Sequence, residues 1–366
     1  LEGGVAAQDP HALALLQYTG GTTGTPKGAM LTHANLSINA QQTAGLNPFG
    51  DPAGEVLMGA LPFFHVFANT TLLNHAVLTG ASIAMVPRFE TRQVLETIEK
   101  YGATGFPGVP TMFQALVDHR ELAKTDLSTL KVCISGGAPL PGPLREKFEA
   151  ATGVRLVEGY GLTETSPVVS VISQFNDGIR IGTVGKVLKT VDVKIAETGE
   201  ILVKGPNVMQ GYYKNQEKTD EVIDADGWFH TGDKGEFVDK HFLKITGRIK
   251  QIFKTSGGKY VSPELMENKF KLSPLIETIM VIGENKKHTS AIIVPAWEAL
   301  KDYADYKKIA YSNHDDLAKN KVIIDKFERE IAKYNEDFAQ WEKVKKIRVI
   351  SDEWSIDSGE LTPTLK

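Results

Sequence analysis

A glycine- and threonine-rich segment near the start of the chain has the composition of a phosphate-binding loop. It runs from Tyr18 to Gly28 and reads YTGGTTGTPKG. Glycines let backbone N–H groups approach phosphate oxygens and adopt positive φ, threonine hydroxyls add donors, and Lys27 adds a positive charge. The segment is not a Walker A loop, because Pro26 precedes Lys27 where that pattern requires glycine. We therefore predict a loop that holds the β- and γ-phosphates of ATP, and not a flexible surface loop.

Further motifs follow this loop in order along the chain. Taken alone, each has an ordinary structural explanation: a strand-to-helix turn, a buried histidine or a turn aspartate. Their combination is what demands a common explanation. The motifs are LPFFH at 61–65, SGGAP at 135–139, EGYGLTET at 158–165, WFHTGD at 228–233, TGRIK at 246–250, SGGKYV at 256–261 and GELTPTLK at 359–366.

The ordered set resembles the AMP-binding, or adenylate-forming, superfamily. Its members include acyl-CoA synthetases, aryl-CoA ligases, luciferases and the adenylation domains of peptide synthetases. The resemblance covers residues from about 11 to 366. The amino-acid sequences of 160–167 and 361–366 are most similar to those of long-chain fatty acyl-CoA synthetases. Full-length members carry a further N-terminal subdomain before the phosphate loop, so we expect this chain to lack that part.

The resemblance implies an ATP site built from several segments. A flat glycine turn would lie against adenine, Tyr160 would stack near it, and Asp233 would accept hydrogen bonds from the ribose hydroxyls, with Arg248 as a second ribose or phosphate contact. The expected nucleotide-binding residues are Thr19, Gly20, Gly21, Thr22, Thr23, Gly24, Lys27, Gly136, Gly137, Ala138, Pro139, Gly159, Tyr160, Gly161, Asp233 and Arg248.

Four residues would carry the chemistry by the same resemblance. Thr163 would contact the α-phosphate, and Glu164 would bind Mg²⁺, a hard cation that takes oxygen ligands. Lys366 would be the lysine that bridges carboxylate and phosphate oxygens during adenylation. Lys254 would face the site during thioester formation.

The remaining site residues concern the acid and the thiol. Phe64 and His65 resemble the segment at the mouth of the acyl pocket, and Gly257 and Gly258 resemble the loop that lines the pantetheine channel of coenzyme A. Lys250 stands at the hinge about which the small domain of these enzymes rotates. Many members have aspartate after the hinge residue, where this chain has Gln251.

Bulk composition bounds the kind of protein. A chain of 366 residues is too long for one ordinary core, so two or three domains are expected. A formal net charge of -4 exerts no general pull toward nucleic acid or anionic membrane. The single cysteine, Cys133, excludes an internal disulfide framework and fits a reducing cytoplasm. The stretch 61–87 contains too many polar side chains for a membrane span, whereas peripheral membrane contact and oligomeric state stay open.

Local patterns predict an α/β multi-domain fold. Short apolar runs at 14–19 and 132–135 read as strands, and 143–151 has helical composition. Alternating runs at 191–196, 201–204, 236–238 and 242–246 predict two hairpins. We expect a layered α/β core at 1–180, a β-rich subdomain at 181–247 and a mobile α+β domain at 248–366.

The expected function is ATP-dependent activation of a carboxylic acid to acyl-AMP and its transfer to a thiol. Spelling of the motifs favours a long-chain fatty acid and coenzyme A, which makes the chain an acid–thiol ligase. Two alternatives stay open: a nucleotide-binding fragment without turnover, and an enzyme that loads a carrier-protein thiol.

Overall fold

A large mixed sheet organises the first two thirds of the chain. The structure is a computed structural model that describes residues 9–19, 26–46, 54–172, 180–249, 251–352 and 354. The chain divides into two compact units, one of Leu1–Thr231 with Gly235–Ile245 and one of Gly232–Lys234 with Thr246–Lys366. The predicted boundaries at 180 and 247 stay a prediction, although the second lies close to the passage from Ile245 to Thr246.

The first unit alternates strands and helices before a run of strands. A π-helical segment, Asn69–Asn74, joins two of its helices, and single 3₁₀ turns occupy Leu122–Lys124 and Thr163–Thr165. In chain order the elements are β1 Leu13–Thr19, β2 Lys27–Thr32, α1 His33–Ala44, β3 Val56–Gly59, α2 Val66–Ala68, α3 His75–Thr79, β4 Ser82–Met85, α4 Thr91–Tyr101, β5 Gly105–Gly108, α5 Pro110–Asp118, β6 Val132–Ser135, α6 Gly142–Thr152, β7 Arg155–Gly161, β8 Val168–Val171, β9 Lys186–Val187, β10 Asp192–Ile195, β11 Glu200–Lys204, α7 Gln216–Asp220, β12 Phe229–Val238 and β13 Phe242–Arg248.

The order of strands explains where a site can form. Among the described residues the sheet runs β10-β11-β12-β13-β9-β8-β7-β6-β5-β3-β4. Strands β4, β3, β5, β6 and β7 are parallel, and β8 then pairs antiparallel with β7. Parallel strands buried on both faces are short apolar runs, as in the fully buried Val132–Ser135. Ligands of such sheets bind beyond the carboxyl ends of the strands, and the motifs at 135–139 and 158–165 lie at the ends of β6 and β7.

Two prolines lie at helix starts, and the predicted hairpins are present. Pro110 begins α5 and Pro143 lies in the first turn of α6, where the missing N–H costs nothing. The hairpins predicted around 197–200 and 239–240 are present as β10–β11 and β12–β13. The α/β class predicted from the sequence is confirmed.

The second unit has its own sheet and core. Strand β16 pairs antiparallel with β17, which pairs parallel with β18, and Phe270, Ile293 and Phe327 are fully buried within the unit. Its elements are β14 Phe253–Lys254, β15 Tyr260–Val261, α8 Pro263–Phe270, β16 Ile276–Ile282, β17 Thr289–Pro295, α9 Trp297–Tyr306, α10 His314–Lys319, α11 Lys321–Asn335 and β18 Val344–Val349.

No helix in the described part of the chain combines the length and the apolar character needed to cross a membrane. The stretch 61–87 instead contributes buried side chains such as Val66, Ala68 and Leu72 to the core of the first unit.

Substitution of Gly185 tests how closely the backbones approach each other between β8 and β9. It has φ +89°, and a Cβ there would meet the backbone carbonyl of Val171. Gly182 also has positive φ, +80°, but a Cβ there would meet nothing within 4 Å. We expect Gly182→Ala to lower the free energy of unfolding by about 1–2 kcal/mol from backbone strain alone. We expect Gly185→Ala to lower it by about 3 kcal/mol or more, because overpacking adds to that strain. Urea denaturation measures both, and equal losses would contradict this packing.

Candidate nucleotide-binding and acid-activating site

The two ends of the predicted phosphate loop are held side by side. Strands β1 and β2 pair antiparallel, with Thr19 opposite Lys27. The Thr19 hydroxyl makes no hydrogen bond to the residues that the structure describes. The rest of the loop lies outside the described residues; this applies to the predicted ligands Gly20, Gly21, Thr22, Thr23 and Gly24.

A chain of polar contacts links Lys27 to Glu164 through a tyrosine. The Lys27 ammonium donates to the Tyr212 hydroxyl at 3.0 Å and lies 4.1 Å from the centre of its ring. That hydroxyl in turn donates to Glu164 Oε1 at 2.7 Å. Burial raises the pKa of Tyr212, and the charge of Glu164 and this hydrogen bond raise it further. The phenol is therefore neutral and joins a cation to a carboxylate.

Tyr212 lies at this place because the backbone of its segment pairs alongside β2. The N–H of Tyr213 donates to the carbonyl of Gly28 at 2.8 Å, and Tyr212 lies opposite Ala29 in a single antiparallel bridge. Sequence reasoning missed Tyr212. The cluster of Gly205, Asn207 and Gly211 immediately before it was the available signal, since such residues mark close approaches of backbone.

The same segment also fixes the turn that carries Glu164. The Met209 N–H donates to the Glu164 carbonyl at 2.9 Å. The fully buried Asn207 donates through Nδ2 to the carbonyls of Thr165, at 3.0 Å, and Val168, at 3.1 Å. Thr163 is half-buried, and its hydroxyl has no hydrogen-bond partner among the residues described. The structure thus brings Lys27, Glu164 and Thr163 to one region and holds them by backbone contacts.

The carboxylate of Glu164 fits a magnesium ion whose other ligands come mainly from a bound nucleotide and water. Of the carboxylate oxygens, Oε1 accepts from Tyr212, and Oε2 has no partner within the described ranges. No group of three or more His, Cys, Asp or Glu side chains that could hold a metal occurs in those ranges. A hard cation here would take one or two carboxylate oxygens and complete its shell with phosphate and water.

The predicted purine turn follows β6 and packs against an aromatic ring. A Cβ at Gly136 would lie 3.0 Å from the Phe67 ring, and Gly137 has φ +78°. Both features require glycine and leave a flat stretch of backbone. Gly137 is exposed, and Ala138 and Pro139 are half-buried. Phe67, which sequence reasoning did not single out, therefore connects this turn with the predicted acyl segment.

Glu158 supports the same turn from β7. Its Oε1 accepts a hydrogen bond from the Leu140 N–H at 2.9 Å. Burial raises the pKa of Glu158 to about 7, against the opposing effects of that hydrogen bond and of Arg145. The residues that follow form the end of the strand: Gly159 lies opposite Val171 and Tyr160 opposite Ser170. A side chain at Gly161 would strike the Pro167 carbonyl.

The predicted acyl segment contains an exposed aromatic residue. Phe64 is 82% exposed, and His65 caps α2 by accepting a hydrogen bond at Nδ1 from the Phe67 N–H at 3.2 Å. The helical segment that follows is anchored by His75, whose Nε2 lies 2.9 Å from Glu55 Oε2 with both side chains buried. Phe64 and His65 thus lie at the surface, three and two residues before Phe67, whose ring packs on the predicted purine turn.

The predicted ribose contacts meet within the second unit. Asp233 is 3% exposed, and its Oδ1 accepts from Arg248 Nε at 3.0 Å. Arg248 Nε also lies 3.8 Å from Glu264 Oε2. A buried carboxylate requires such a partner. The structure therefore brings together Asp233 and Arg248, which the sequence predicted as two separate contacts to the nucleotide, and their roles toward it stay predictions.

The predicted thiol-side residues lie in a short hairpin loop of the second unit. Lys254 on β14 lies opposite Tyr260 on β15, and Gly257 and Gly258 form the turn between these strands. Gly258 has φ +78°. The predicted hinge Lys250 and the predicted adenylation residue Lys366 lie outside the described residues.

The sequence matches two parts of one enzyme family. Residues 3–213 match the AMP-binding enzyme family, and residues 250–356 match the AMP-binding enzyme C-terminal domain. The chain is 37% identical over 321 residues to a long-chain-fatty-acid–CoA ligase of Bacillus subtilis, covering 84% of this chain and 56% of that protein.

Other similar proteins carry different names. The chain is 36% identical to 4-coumarate–CoA ligase 1 of rice (Oryza sativa subsp. japonica), over 75% of this chain and 52% of that protein. It superposes on ATP-bound MatB from Rhodopseudomonas palustris with a TM-score of 0.74 and 29% identity, over 94% of this chain and 65% of that chain. The chain thus spans between half and two thirds of the length of these relatives.

The raised pKa of Glu158 predicts a pH dependence of stability. The folded-state pKa of about 7 lies above the ordinary value of 4.5, so the folded chain keeps a proton that the unfolded chain has released. Stability should therefore fall as pH rises from about 4.5 to 7 and then level off. We expect Glu158→Gln to remove this fall, measured by urea denaturation at pH 5, 6, 7 and 8. The exposed Glu146→Gln on α6 is the control, and a fall of the same size in the Glu158→Gln protein would contradict the assignment.

Proposed function

Because the chain belongs to the AMP-binding enzyme family, we propose that it activates a carboxylic acid with ATP and transfers the acyl group to coenzyme A. In the first step a carboxylate oxygen attacks the α-phosphorus, and the bond to pyrophosphate breaks, which gives acyl-AMP and pyrophosphate. In the second step a thiolate attacks the acyl carbon and AMP leaves. The observation that carries the proposal is the linked arrangement of Lys27, Tyr212 and Glu164 at the mouth of the phosphate loop.

Each of these side chains has a defined task in the first step. Lys27 supplies positive charge at the end of the loop that would hold the β- and γ-phosphates, and Tyr212 holds that ammonium in place. Glu164 presents a carboxylate oxygen, and Thr163 presents a hydroxyl to the α-phosphate. Magnesium, when bound, neutralises charge on the phosphates. Catalysis then rests on positioning and preorganised charge, with no covalent enzyme nucleophile.

Other parts of the chain would complete the nucleotide site. The flat backbone of 136–139, which packs against Phe67, would accommodate the face of a purine. Tyr160 at the end of β7 would stack near that purine. Asp233 and Arg248 would bind the ribose by charge-assisted hydrogen bonds. Lys366 would bridge the carboxylate and phosphate oxygens of the adenylation transition state.

A long-chain fatty acid is the acid we propose. The amino-acid sequences of 160–167 and 361–366 support a fatty acid, as does the name of the Bacillus subtilis relative. The segment 65–71 contains no acidic residue and so offers no aspartate to a substrate amine, which disfavours an amino acid. The similarity to a 4-coumarate–CoA ligase makes an aryl acid the comparison to include in any test.

The second step involves the smaller unit. We propose that Lys254 faces the acyl-AMP during thioester formation, with Gly257 and Gly258 beside the pantetheine arm. Lys250 would be the pivot between the adenylating and thioester-forming poses.

A nucleotide-binding protein without turnover is the second candidate. It is favoured by one observation: the linked Lys27, Tyr212 and Glu164 side chains would meet a nucleotide whether or not an acid reacts with it. Its signature would be binding of ATP or AMP without release of pyrophosphate. Transfer to a carrier-protein thiol in place of free coenzyme A is distinguished by the choice of acceptor. We further propose a cytoplasmic location.

ATP–pyrophosphate exchange tests the first step with a panel of fatty, aryl and amino acids and Mg²⁺. We expect exchange stimulated by long-chain fatty acids. Glu164→Ala and Lys366→Ala should each lower its rate by about a hundredfold or more, because each removes charge stabilisation from the transition state. The exposed Glu217→Ala on α7 is the control. Nucleotide binding without exchange by any acid would leave the second candidate, and exchange stimulated by aryl acids alone would exclude the fatty-acid assignment.

A further inference from the structure

A buried hydroxyl joins the helical stretch after the predicted acyl segment to the Glu164 turn, which we define as residues 163–167. Thr70 donates through Oγ1 to the carbonyl of Ser166 at 2.7 Å, and both residues are fully buried. They are 96 residues apart in sequence, so only the fold brings them together. Because the site is buried, water cannot replace the hydroxyl as a donor to this carbonyl.

This bond adds a third support to the turn, from a different part of the chain. The N–H of Met209 donates to the carbonyl of Glu164 at 2.9 Å, and Nδ2 of Asn207 donates to the carbonyl of Thr165 at 3.0 Å. Those two donors come from one segment. The next carbonyl along the turn accepts from Thr70. Three consecutive carbonyls are therefore held by two segments, and Thr70 is the donor from the second segment.

Ser166 depends on such support because its backbone has φ +70°, in the left-handed region that favours glycine. A residue with a side chain persists there when the surrounding structure holds it. The Ser166 Oγ is buried and makes no hydrogen bond within the described ranges, so its side chain does not fix the conformation. The Thr70 hydroxyl holds the backbone two residues after Glu164.

The stretch that carries Thr70 also contacts the predicted purine turn. Thr70 lies in the π-helical segment Asn69–Asn74, a rare conformation that is frequent at functional sites. Phe67, three residues earlier, packs its ring where a Cβ at Gly136 would lie 3.0 Å away. One helical stretch that begins directly after His65 thus meets two of the predicted nucleotide-binding elements.

We propose that Thr70 is a positioning residue for Mg²⁺–ATP, whose hydroxyl fixes the Glu164 turn in the conformation that binds the metal. The inference rests on the proposed function, in which Glu164 binds Mg²⁺ and Thr163 contacts the α-phosphate. Thr70 acts through the carbonyl of Ser166 and not on the ligand itself. Groups that bind a ligand must be held within about 0.5 Å of the productive geometry by the residues that support them. Loss of this hydroxyl therefore displaces the Glu164 carboxylate from the metal.

Calorimetric titration with ATP, once in Mg²⁺ and once in EDTA, tests this role. The ratio of the two affinities reports how well the chain holds the metal, whereas a general loosening of the fold weakens both titrations alike. Thr70→Val keeps the shape and removes the hydroxyl. It is expected to lower the ratio by about fivefold or more, the lower end of the usual coupling between two ligands. Thr70→Ser retains the hydroxyl and should retain the ratio of the parent chain.

The matched control is Thr43→Val on α1. Thr43 is also buried, but its hydroxyl donates within its own helix, to the carbonyls of Asn39 and Ala40 at 2.9 Å. This variant should keep the parent ratio. If circular dichroism shows that Thr70→Val does not fold, Thr70→Ala replaces it, with the same expected fall, since it places no methyl group beside the carbonyl.

Three results overturn the inference: an unchanged ratio when the Thr70 hydroxyl is removed, an equal fall in Thr43→Val, or a parent chain whose affinity for ATP does not depend on Mg²⁺. A second cycle locates the effect. In a Glu164→Gln background, Thr70→Val should change the ratio no further, and a further fall of the same size would show that the hydroxyl does not act through Glu164.

The proposed function fails separately from this inference. Absence of pyrophosphate exchange with every acid would remove acid activation. A ratio that still falls in Thr70→Val, and not in Thr43→Val, would then retain Thr70 as the residue that positions the Glu164 turn for Mg²⁺–ATP.

Discussion

The phenol of Tyr212 is the contact on which the candidate site depends. It accepts from the Lys27 ammonium and donates to the Glu164 carboxylate, so three segments far apart in sequence share one polar connection. In a direct ion pair, the lysine and the glutamate would each neutralise the charge of the other. A neutral phenol between them holds both in place without joining the two charges directly.

That contact explains much of the surrounding backbone. Residues 209–213 hydrogen-bond to β2 on one side and to the Glu164 turn on the other, and Asn207 closes the buried end. The carboxyl ends of β6 and β7 then place the predicted purine turn and Glu158 in the same unit. In the second unit Asp233 and Arg248 are likewise held together, by the hydrogen bond from Arg248 Nε to Asp233 Oδ1. The fold thus supplies rigid backbone, and the charged groups are fixed in pairs.

The sequence predicted the parts of this arrangement that depend on local chemistry. The hairpins predicted around 197–200 and 239–240 follow from alternating residue types that act over short range. The phosphate loop at 18–28 and the ribose roles of Asp233 and Arg248 stay predictions. Tyr212, Phe67 and Asn207 were missed because their roles arise from long-range contacts: a tyrosine 48 residues from Glu164 carries no local mark of its partner. The β-rich segment predicted at 181–247 contributes strands to the same sheet as the parallel core, because edge pairing depends on register that composition does not encode. The roles of Lys250 and Lys366 stay predictions.

The central claim is that Lys27, Tyr212 and Glu164 act as one nucleotide-binding unit, and calorimetric titration with Mg²⁺–ATP in a double-mutant cycle tests it most directly. Tyr212→Phe keeps the ring and removes the hydroxyl, and Glu164→Gln keeps the size and removes the charge. The account predicts that each substitution weakens binding by about tenfold and that together they cost less than the sum, with a coupling of about 1 kcal/mol or more. Affinities that are unchanged, or losses that add within about 0.3 kcal/mol, would show that the phenol does not connect the carboxylate to the nucleotide.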